Sequence, residues 1–261
     1  MKQPTVRILV MTHHPYAMPD GEPYLPLQIG AAGHADFGML RDDTGDNLSA
    51  FNPYYSELTG LYWAWRNLTC DYAGLVHYRR YLAGRQTFVA NGKRHKILSA
   101  EEVTQLLTTA DVILPRPRYY AESLYRHYAQ TTYPEPLRIT GEIIREKYPT
   151  YAAEFEQLKH RRRAHMLNMF VMKKDLLDEY CRWLFDILGE LQRRIDVKQY
   201  NAFHARLFGR IGELLLDVWL RTKKVKYREV KVVNLEPVNY PRKVWHYLLA
   251  RFGGRKYQAS Y

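Results

Sequence analysis

Residues 72–80, YAGLVHYRR, carry the pattern that decides the fold. A continuous apolar run, as opposed to an alternating one, predicts a strand that is buried on both faces, and here the run ends in four polar side chains. VRILVMTH (6–13) has the same form, and two more runs predict strands, DVILP (111–115) and HMLNMFVMKK (165–174). Strands of this kind are typical of mainly parallel sheets covered by helices on both faces.

Helical patterns separate these strands. Asn52-Pro53 has the residue types favoured at a helix start, and Ser99 with Glu102 has the spacing of a capping box. These signals, with apolar residues at helical spacing, predict helices at about 53–67, 100–109, 175–195 and 199–221, a helical and loop-rich region at 119–163, and a basic strand at 225–233. The sequence therefore predicts an α/β fold, a Rossmann-type, mainly parallel sheet flanked by helices, with a helical C-terminal part.

Composition bounds the class of protein. With 261 residues, 46% of them hydrophobic and 25% charged, the chain has the balance of an ordinary globular protein, which excludes disorder and collagen-like repeats. Its two cysteines give no disulfide framework and suit a reducing compartment. We find neither a signal-peptide pattern nor an apolar run of about 18 residues that could span a membrane. We therefore expect a cytoplasmic protein.

The net charge of +12 is concentrated near the C-terminus. Residues 221–261 hold eleven Lys/Arg against two glutamates, and the segment 236–261 mixes basic residues with Trp245, Tyr247 and Phe252. We expect a main domain at 1–235 and, at 236–261, a basic aromatic tail that either is solvated or lies on an anionic membrane surface. No zinc-ligand spacing, RNP-like strand or basic-region heptad is present, so we do not expect a nucleic-acid partner.

The polar ends of the first two strands predict a binding site. Carboxyl ends of parallel strands meet at one edge of the sheet, where ligands of such folds bind. Two adjacent arginines there can offer bidentate hydrogen bonds to a phosphate, although they could instead pair with nearby carboxylates. The residues expected at this edge are Thr12, His13 and Tyr16 after the first strand, and His77, Tyr78, Arg79 and Arg80 at the end of the second.

Carboxylates elsewhere are candidates for acid–base chemistry. The segment DDTGDN (42–47) could bind sugar hydroxyls, supply a general base or hold a hard cation, or it could be a solvated turn. Glu57 lies near a predicted helix start, where it could simply complement the helix dipole. Glu213 lies among apolar residues and is either an ion-pair partner of Arg206 or Arg210 or a base of raised pKa. His165 and Asn168 flank the fourth strand and could face an acceptor.

Several blocks resemble one known family. The blocks TVRILVMTHHPY, LRDDTGDNLSAFNPYYSELTGLYWAWRN, DYAGLVHYRRYL and FGRIGELLLDVWL occur here in matching order, and the similarity covers about residues 5–235. The chain resembles the bacterial glycosyltransferases of capsule, exopolysaccharide and O-antigen gene clusters, long catalogued only as a domain of unknown function, whose members include galactofuranosyltransferases. The resemblance implies a GT-A-type fold, a UDP-galactofuranose donor, a lipid-linked glycan acceptor and a peripheral location at the inner face of the plasma membrane.

The resemblance also implies roles for the site residues. The donor would contact Thr12, His13, Tyr16, His77, Tyr78, Arg79 and Arg80; the sugar and acceptor would contact Asp42, Asn47, Glu57, His165 and Asn168; and an inverting reaction would take its base from Asp43, Asp46 or Glu213. Many transferases with a related sheet hold a divalent metal through an Asp-x-Asp motif at this strand end. Histidine and arginines stand there in this chain, so we expect no metal site and no metal requirement. Two alternatives stay open: another donor, UDP-galactopyranose or a different UDP-hexose, and a non-catalytic protein that binds polyanions.

Overall fold

A computed structural model describes residues 3–19 and 21–237, together with positions 241, 245, 247, 249, 251 and 256. Its strands are β1 Val6–Thr12, β2 Tyr24–Gln28, β3 Leu40–Arg41, β4 Tyr72–His77, β5 Arg80–Ala90, β6 Lys93–Ile97, β7 Val112–Pro115, β8 Arg118–Tyr119, β9 Arg163–Ala164, β10 Phe170–Lys173, β11 Tyr227–Val230 and β12 Val232–Asn234. Its α-helices are α1 Asn52–Tyr55, α2 Leu58–Asn67, α3 Ala100–Leu106, α4 Leu124–Thr131, α5 Glu135–Lys147, α6 Pro149–His160, α7 Lys174–Arg194, α8 Ala202–Ala205 and α9 Leu207–Thr222.

The main sheet has the order β11-β7-β10-β4-β1-β2-β3. Four adjacent strands are parallel to one another, in the order β4, β1, β2 and β3, and β11 is parallel to β7. Between these two groups lies β10, which is antiparallel to both β4 and β7. A tight turn leads from β4 into β5, which also pairs with β6 and β12. The sheet is therefore mainly parallel, as the apolar runs predict.

Both faces of this sheet are covered, which explains why its strands are continuous apolar runs. In β1, Leu9 and Met11 join the core formed with α2, α5, α7 and α9. Ile8 and Val10 face the opposite side and pack in the core formed with α3 and the hairpin β5–β6. Alternate side chains of one strand thus enter two different cores.

Several predicted elements are interrupted. The helix expected at 53–67 is split into α1 and α2 because Ser56 takes a left-handed backbone with a φ of 53°. The strand expected at 165–174 begins only at Phe170, since Leu167 and Asn168 have φ values of 90° and 49°. The region 199–221 is divided between α8 and α9, the basic segment 225–233 forms two separate strands, and the hairpin β5–β6 was not predicted. The capping box of Ser99 and Glu102 is confirmed at α3.

Within the described part of the chain, no helix combines the length and the apolar character that crossing a bilayer requires.

Candidate functional site

The carboxyl ends of β1 and β4 meet at one edge of the sheet, because Met11 lies opposite His77 in the parallel register. Five aromatic or imidazole rings collect there. Tyr78 is at their centre, and its ring centroid lies 4.4 Å from that of His77, 4.6 Å from His14, 4.9 Å from Tyr16 and 5.6 Å from His13. The structure therefore brings together four of the predicted donor residues and adds His14.

Two histidines of this ring cluster are neutral near physiological pH. Burial, reinforced by the positive charges of Arg80 and Arg79, lowers the pKa of His77 to about 3. Burial also lowers the pKa of His13, with further contributions from His14, Arg206 and Arg79. Neutral imidazoles can both donate and accept hydrogen bonds. These two histidines can therefore contact polar atoms of a ligand without adding to the positive charge of this edge.

Thr12 has a different position from the one that we predicted. It is buried, and its hydroxyl donates to the carbonyl oxygen of His14 at 2.5 Å. The hydroxyl oxygen also lies within hydrogen-bonding distance of the His14 backbone N–H, at 3.3 Å. Thr12 therefore shapes the turn that carries the two histidines and does not present its hydroxyl at the edge.

The two arginines of the predicted donor site differ in their partners. The guanidinium of Arg79 lies over the Tyr78 ring, 5.0 Å from its centroid, and donates to Glu236 Oε2 at 3.2 Å. The Tyr16 hydroxyl donates to the other oxygen of the same carboxylate at 3.0 Å. Glu236, the first residue of the predicted tail, thus belongs to this edge, and the carboxylate-pairing alternative applies to Arg79.

Arg80 is half-buried, and among the described residues it has no ion pair within 4.0 Å. Burial and the neighbouring charges of Arg118 and Arg79 lower its pKa, against the opposing influence of Glu213 and Glu57. Arginine keeps its charge in proteins despite such a shift. Arg80 is therefore a cation between the ring cluster and two glutamates.

A cavity of about 170 Å³ lies beside this edge. The junction of α1 and α2 forms one wall and α9 the other; the lining residues are Ser56, Glu57, Arg206, Gly209, Arg210 and Glu213. The two walls approach closely because Gly209 has no side chain: a Cβ there would lie 3.2 Å from the carbonyl oxygen of Tyr55. The cavity thus combines two carboxylates and two guanidinium groups.

The turn before β10 orients both glutamates. The backbone N–H of Leu167 donates to Glu213 Oε1 at 3.0 Å. The buried side-chain amide of Asn168 donates to Glu57 Oε1 at 2.7 Å and to the Gly209 carbonyl at 3.1 Å. We predicted Asn168 as an acceptor contact, but its amide N–H groups are used inside the protein, so it holds Glu57 in place.

Backbone strain is concentrated around this pair of carboxylates. Among the described residues, five non-glycine positions have positive φ, and Ser56, Leu167 and Asn168 are three of them. Such conformations cost about 1–3 kcal/mol each and persist where the surrounding structure enforces them, often at functional sites. The strained positions are the ones that bring Glu57 and Glu213 to one cavity.

Glu213 has the electrostatics of a general base. Burial raises its pKa to about 7, and the negative charge of Glu57 adds to the shift, while Arg118, the Leu167 N–H and Arg210 oppose it. The predicted alternative, an ion pair with Arg206 or Arg210, does not form in the described structure: Arg206 donates to Ser56 Oγ at 3.0 Å and Arg210 to the Phe203 carbonyl at 2.7 Å. A carboxylate with a pKa near neutrality can accept a proton efficiently.

The acidic loop does not contribute to this cavity. Asp42 is fully buried and accepts hydrogen bonds from the backbone N–H groups of Gly30 (2.9 Å) and Ala31 (3.0 Å) and from the Ser49 hydroxyl (2.5 Å). Its carboxylate is therefore committed to the loop after β2 and is not exposed to a ligand, in contrast to the sugar contact that we predicted.

Asp43 and Asp46, predicted as catalytic bases, are paired with arginines. Arg41 contacts both oxygens of Asp43, at 3.1 and 2.7 Å, and this hydrogen bonding lowers the pKa of the carboxyl despite its partial burial. Asp46 contacts Arg66 at 2.6 Å, near the end of α2 that is remote from Glu57. A base with a lowered pKa is a weak one, so Asp43 does not suit the predicted role. Asp46 is engaged by Arg66 and does not line the cavity.

Asn47 also has a local structural role. Its side-chain amide donates to the Gly45 carbonyl at 2.9 Å, and its Oδ1 accepts the backbone N–H of Ser49 at 3.2 Å. The loop is thus held by its own polar residues and by α2, as in the alternative of a structured turn.

His165, which we expected to face an acceptor, is buried in an ion-pair network. Its two ring nitrogens lie 2.5 Å from Asp217 Oδ1 and 3.0 Å from Glu229 Oε1. Burial lowers its pKa, but the hydrogen bonds and negative charges of Asp217 and Glu229 outweigh this and raise it overall. His165 joins α9 to β11, and both of its ring nitrogens are engaged within the protein.

Among the residues that the structure describes, no group of three or more His, Cys, Asp or Glu side chains could hold a metal ion. At the end of β4, where the related sheets carry an Asp-x-Asp motif, the donor set consists of His77, Arg79 and Arg80. Guanidinium groups cannot ligate a cation. These residues do not fit a divalent metal.

Comparisons with known proteins bear on the family and the fold of the chain. A family model described as a domain of unknown function (DUF4422) matches residues 7–224. The solved apo structure of the bifunctional glycosyltransferase WbbM is similar to this chain, with a TM-score of 0.80 and 28% identity. The similarity covers 89% of this chain and 46% of that one, so this chain spans about half the length of WbbM. No curated protein gives a significant match. The predicted GT-A-like α/β fold is confirmed.

Proposed function

Because the chain belongs to the DUF4422 family, and because its structure resembles WbbM, we propose that it is a glycosyltransferase of bacterial polysaccharide synthesis. The observation that carries this proposal is the juxtaposition of a carboxylate with a pKa of about 7, Glu213, and the cation Arg80, which has no ion-pair partner among the described residues, beside the ring cluster. Glycosyl transfer from a nucleotide sugar needs both groups, a base for the acceptor and positive charge for the departing diphosphate.

The arginines are suited to a diphosphate leaving group. Arg79 and Arg80 follow β4, and Arg206 and Arg118 add positive charge close to His77 and Glu213, respectively. Positive charges fixed in a partly dehydrated site stabilise negative charge that develops in the transition state. We propose that these side chains bind the diphosphate of a UDP-sugar and that no divalent metal is required. The rings of His13 and Tyr16, which pack against the buried ring of Tyr78, offer flat surfaces for the nucleoside.

The proposed reaction is an inverting displacement. Glu213 accepts the proton of an acceptor hydroxyl while the hydroxyl oxygen bonds to C1 of the sugar. The bond between C1 and the phosphate oxygen breaks, and its electron pair leaves with UDP. Asn168 and the Leu167 N–H hold Glu57 and Glu213 in a fixed orientation, which reduces the entropic cost of aligning base and acceptor.

The finer identity of the substrates rests on the family resemblance. We propose UDP-galactofuranose as donor and a lipid-linked glycan of capsule, exopolysaccharide or O-antigen synthesis as acceptor. The test is transfer to a synthetic lipid-linked acceptor with UDP-galactofuranose, UDP-galactopyranose and UDP-glucose supplied separately. We expect product from the first donor alone. Product only from a pyranose donor would keep the transferase and replace its donor, and absence of UDP-dependent transfer from all three would contradict the proposal.

The pH dependence of transfer should report the proton on Glu213. Since its pKa is raised to about 7, kcat/KM should rise as the pH increases through 7 and should be lost as the pH falls below it. Glu57→Gln removes a negative charge that contributes to this shift, so the acidic limb of the profile should move to lower pH. An acidic limb that stays in place in Glu57→Gln would contradict the coupling of the two glutamates.

We also propose that the protein acts in the cytoplasm as a peripheral protein at the inner face of the plasma membrane. Only six positions after residue 237 are described, so the expected membrane-associating tail lies mostly outside the described residues. At two of those six, the Tyr247 hydroxyl donates to Glu122 Oε1 at 2.9 Å, and Lys256 Nζ donates to the Ala129 carbonyl at 3.0 Å, so they contact α4 and the loop before it.

Deleting residues 242–261 should lower co-sedimentation with anionic vesicles and leave transfer to a soluble acceptor intact. The reason is that the deletion removes five Lys/Arg and several aromatic side chains that favour an anionic interface. A truncated protein that binds vesicles as the full chain does would defeat the proposal for the tail.

A further inference from the structure

The ribbon formed by β8 and β9 is a separate two-stranded sheet with two different faces. Tyr119 lies opposite Arg163, and Arg118 lies opposite Ala164. Directly opposed residues of an antiparallel pair share a face. Tyr119 is 73% exposed, and Arg163 Nη1 lies 3.5 Å from its hydroxyl, whereas Ala164 is buried. Tyr119 and Arg163 therefore form the outer face of the ribbon.

The ribbon and its flanks carry an unusual amount of uncompensated charge. Arg116, Arg118, Arg162 and Arg163 are all exposed, and within the described chain none has a carboxylate within 4.0 Å. By contrast, the exposed arginines of α5 are paired: Arg138 contacts Glu142 at 2.5 Å, and Arg145 contacts Glu156 at 3.2 Å. Four unpaired cations on one short segment of surface are a strong attraction for anions.

Exposed aromatic side chains lie next to these cations. Tyr125 of α4 is 41% exposed, and Lys159 Nζ lies 5.9 Å from its ring centroid. Trp245 is 62% exposed and lies two residues before Tyr247, which contacts Glu122 between β8 and α4. Tyrosine and tryptophan with arginine and lysine are the residues that favour the headgroup region of a bilayer.

We infer that this ribbon surface (Arg116, Tyr119, Tyr125, Arg162 and Arg163) binds the phosphate headgroups of an anionic bilayer, independently of the tail. The basic residues contact lipid phosphates, and the tyrosine rings enter the interface. Resting on the proposed function, this position has a consequence for the reaction. Arg118 is close enough to influence the pKa of both Glu213 and Arg80, so a bilayer at the ribbon surface lies beside the cavity that a membrane-borne acceptor must reach.

The test uses the full chain and sedimentation with phosphatidylcholine vesicles, prepared with and without phosphatidylglycerol. The ribbon variant is Arg162→Ala/Arg163→Ala, and the matched control is Lys93→Ala/Arg94→Ala, which removes two exposed cations from β6. We expect the ribbon variant to bind anionic vesicles about tenfold or more weakly, because two cations near the lipid phosphates are lost. The control should bind anionic vesicles as the wild type does, and none of the three proteins should bind neutral vesicles.

Three results would overturn the inference: wild-type vesicle binding by the ribbon variant, an equal loss in the control, or equal binding to neutral vesicles. Wild-type vesicle binding by the ribbon variant would mean that the tail is the membrane contact, or that the ribbon contacts only the glycan. UDP affinity and thermal unfolding are measured on the same preparations. If the ribbon variant loses vesicle binding but keeps its UDP affinity, the ribbon surface is separate from the donor site. A failure of the proposed function would instead be seen as an absence of UDP binding in the wild type.

Discussion

Glu213→Gln should lower turnover by about 10²- to 10⁴-fold, the usual contribution of a positioned general base, while UDP affinity stays within about twofold of the wild type. Glutamine keeps the size of the side chain and an oxygen that can accept the Leu167 N–H, but it cannot accept the acceptor proton. The cavity around it holds one other carboxylate, Glu57, whose Oε1 already accepts the Asn168 amide. Steady-state kinetics and calorimetry on the same preparation measure both quantities.

The matched control is Asp46→Asn. It removes an acidic charge that our sequence analysis ranked equally with Glu213, but the structure pairs that charge with Arg66 on α2. We expect its turnover to stay close to that of the wild type. If Glu213→Gln kept full turnover, or if Asp46→Asn lost as much as Glu213→Gln, the base would lie elsewhere.

Arg80→Ala should weaken UDP binding by about 1.5–3 kcal/mol, the value of a hydrogen bond to a charged group, which corresponds to roughly a tenfold to hundredfold higher Kd. Arg80 has no ion-pair partner among the described residues, so its guanidinium is available to a diphosphate without first breaking another contact. Arg79→Ala should also weaken UDP binding. Arg79 differs from Arg80 because its guanidinium must leave the Glu236 carboxylate before it can bind the ligand.

Arg94→Ala, on the exposed side of β6, controls for the loss of one positive charge. Its UDP affinity should equal that of the wild type at every salt concentration. A folded Arg80→Ala protein with unchanged UDP affinity would contradict the assignment of the donor site.

The edge of the sheet that carries the site was predictable because it follows from local pattern. Two apolar runs that end in THH and HYRR are parallel neighbours, and parallel neighbours must bring their carboxyl ends together. The same reasoning predicted that both faces of the sheet are covered. The position of the edge thus needed only the strands, without knowledge of their distant contacts.

The cavity that holds Glu57 and Glu213 was less predictable because it depends on three strained residues. Ser56, Leu167 and Asn168 adopt left-handed conformations that their residue types disfavour in isolation, and tertiary contacts stabilise them. The sequence predicted a continuous helix through Ser56, in which Glu57 is an ordinary position near the start. The start of α9 packs against this break, and Arg206 and Arg210 therefore line the cavity. The sequence analysis had named these two residues only as ion-pair partners of Glu213.

The acidic loop was misjudged for a related reason. Three carboxylates in six residues suggested chemistry, but two of them have partners outside the segment: Gly30 and Ala31 for Asp42, and Arg66 for Asp46. Asp43 pairs with its near neighbour Arg41. Glu236 was overlooked as a site residue because its contact with Tyr16 joins residues that are 220 positions apart. Neither relation has a signal in the local sequence.

Calorimetric titration with UDP in EDTA, with GDP and CDP as controls and a repeat in manganese, tests the proposed donor site most directly. We expect UDP-selective binding in EDTA, unchanged by manganese, because side-chain cations bind the diphosphate and the ring cluster binds the nucleoside. Selectivity that appears only with manganese would contradict the role of the arginines. Equal binding of all three nucleotides, lost with salt, would contradict the transferase and favour a protein that binds polyanions through charge alone.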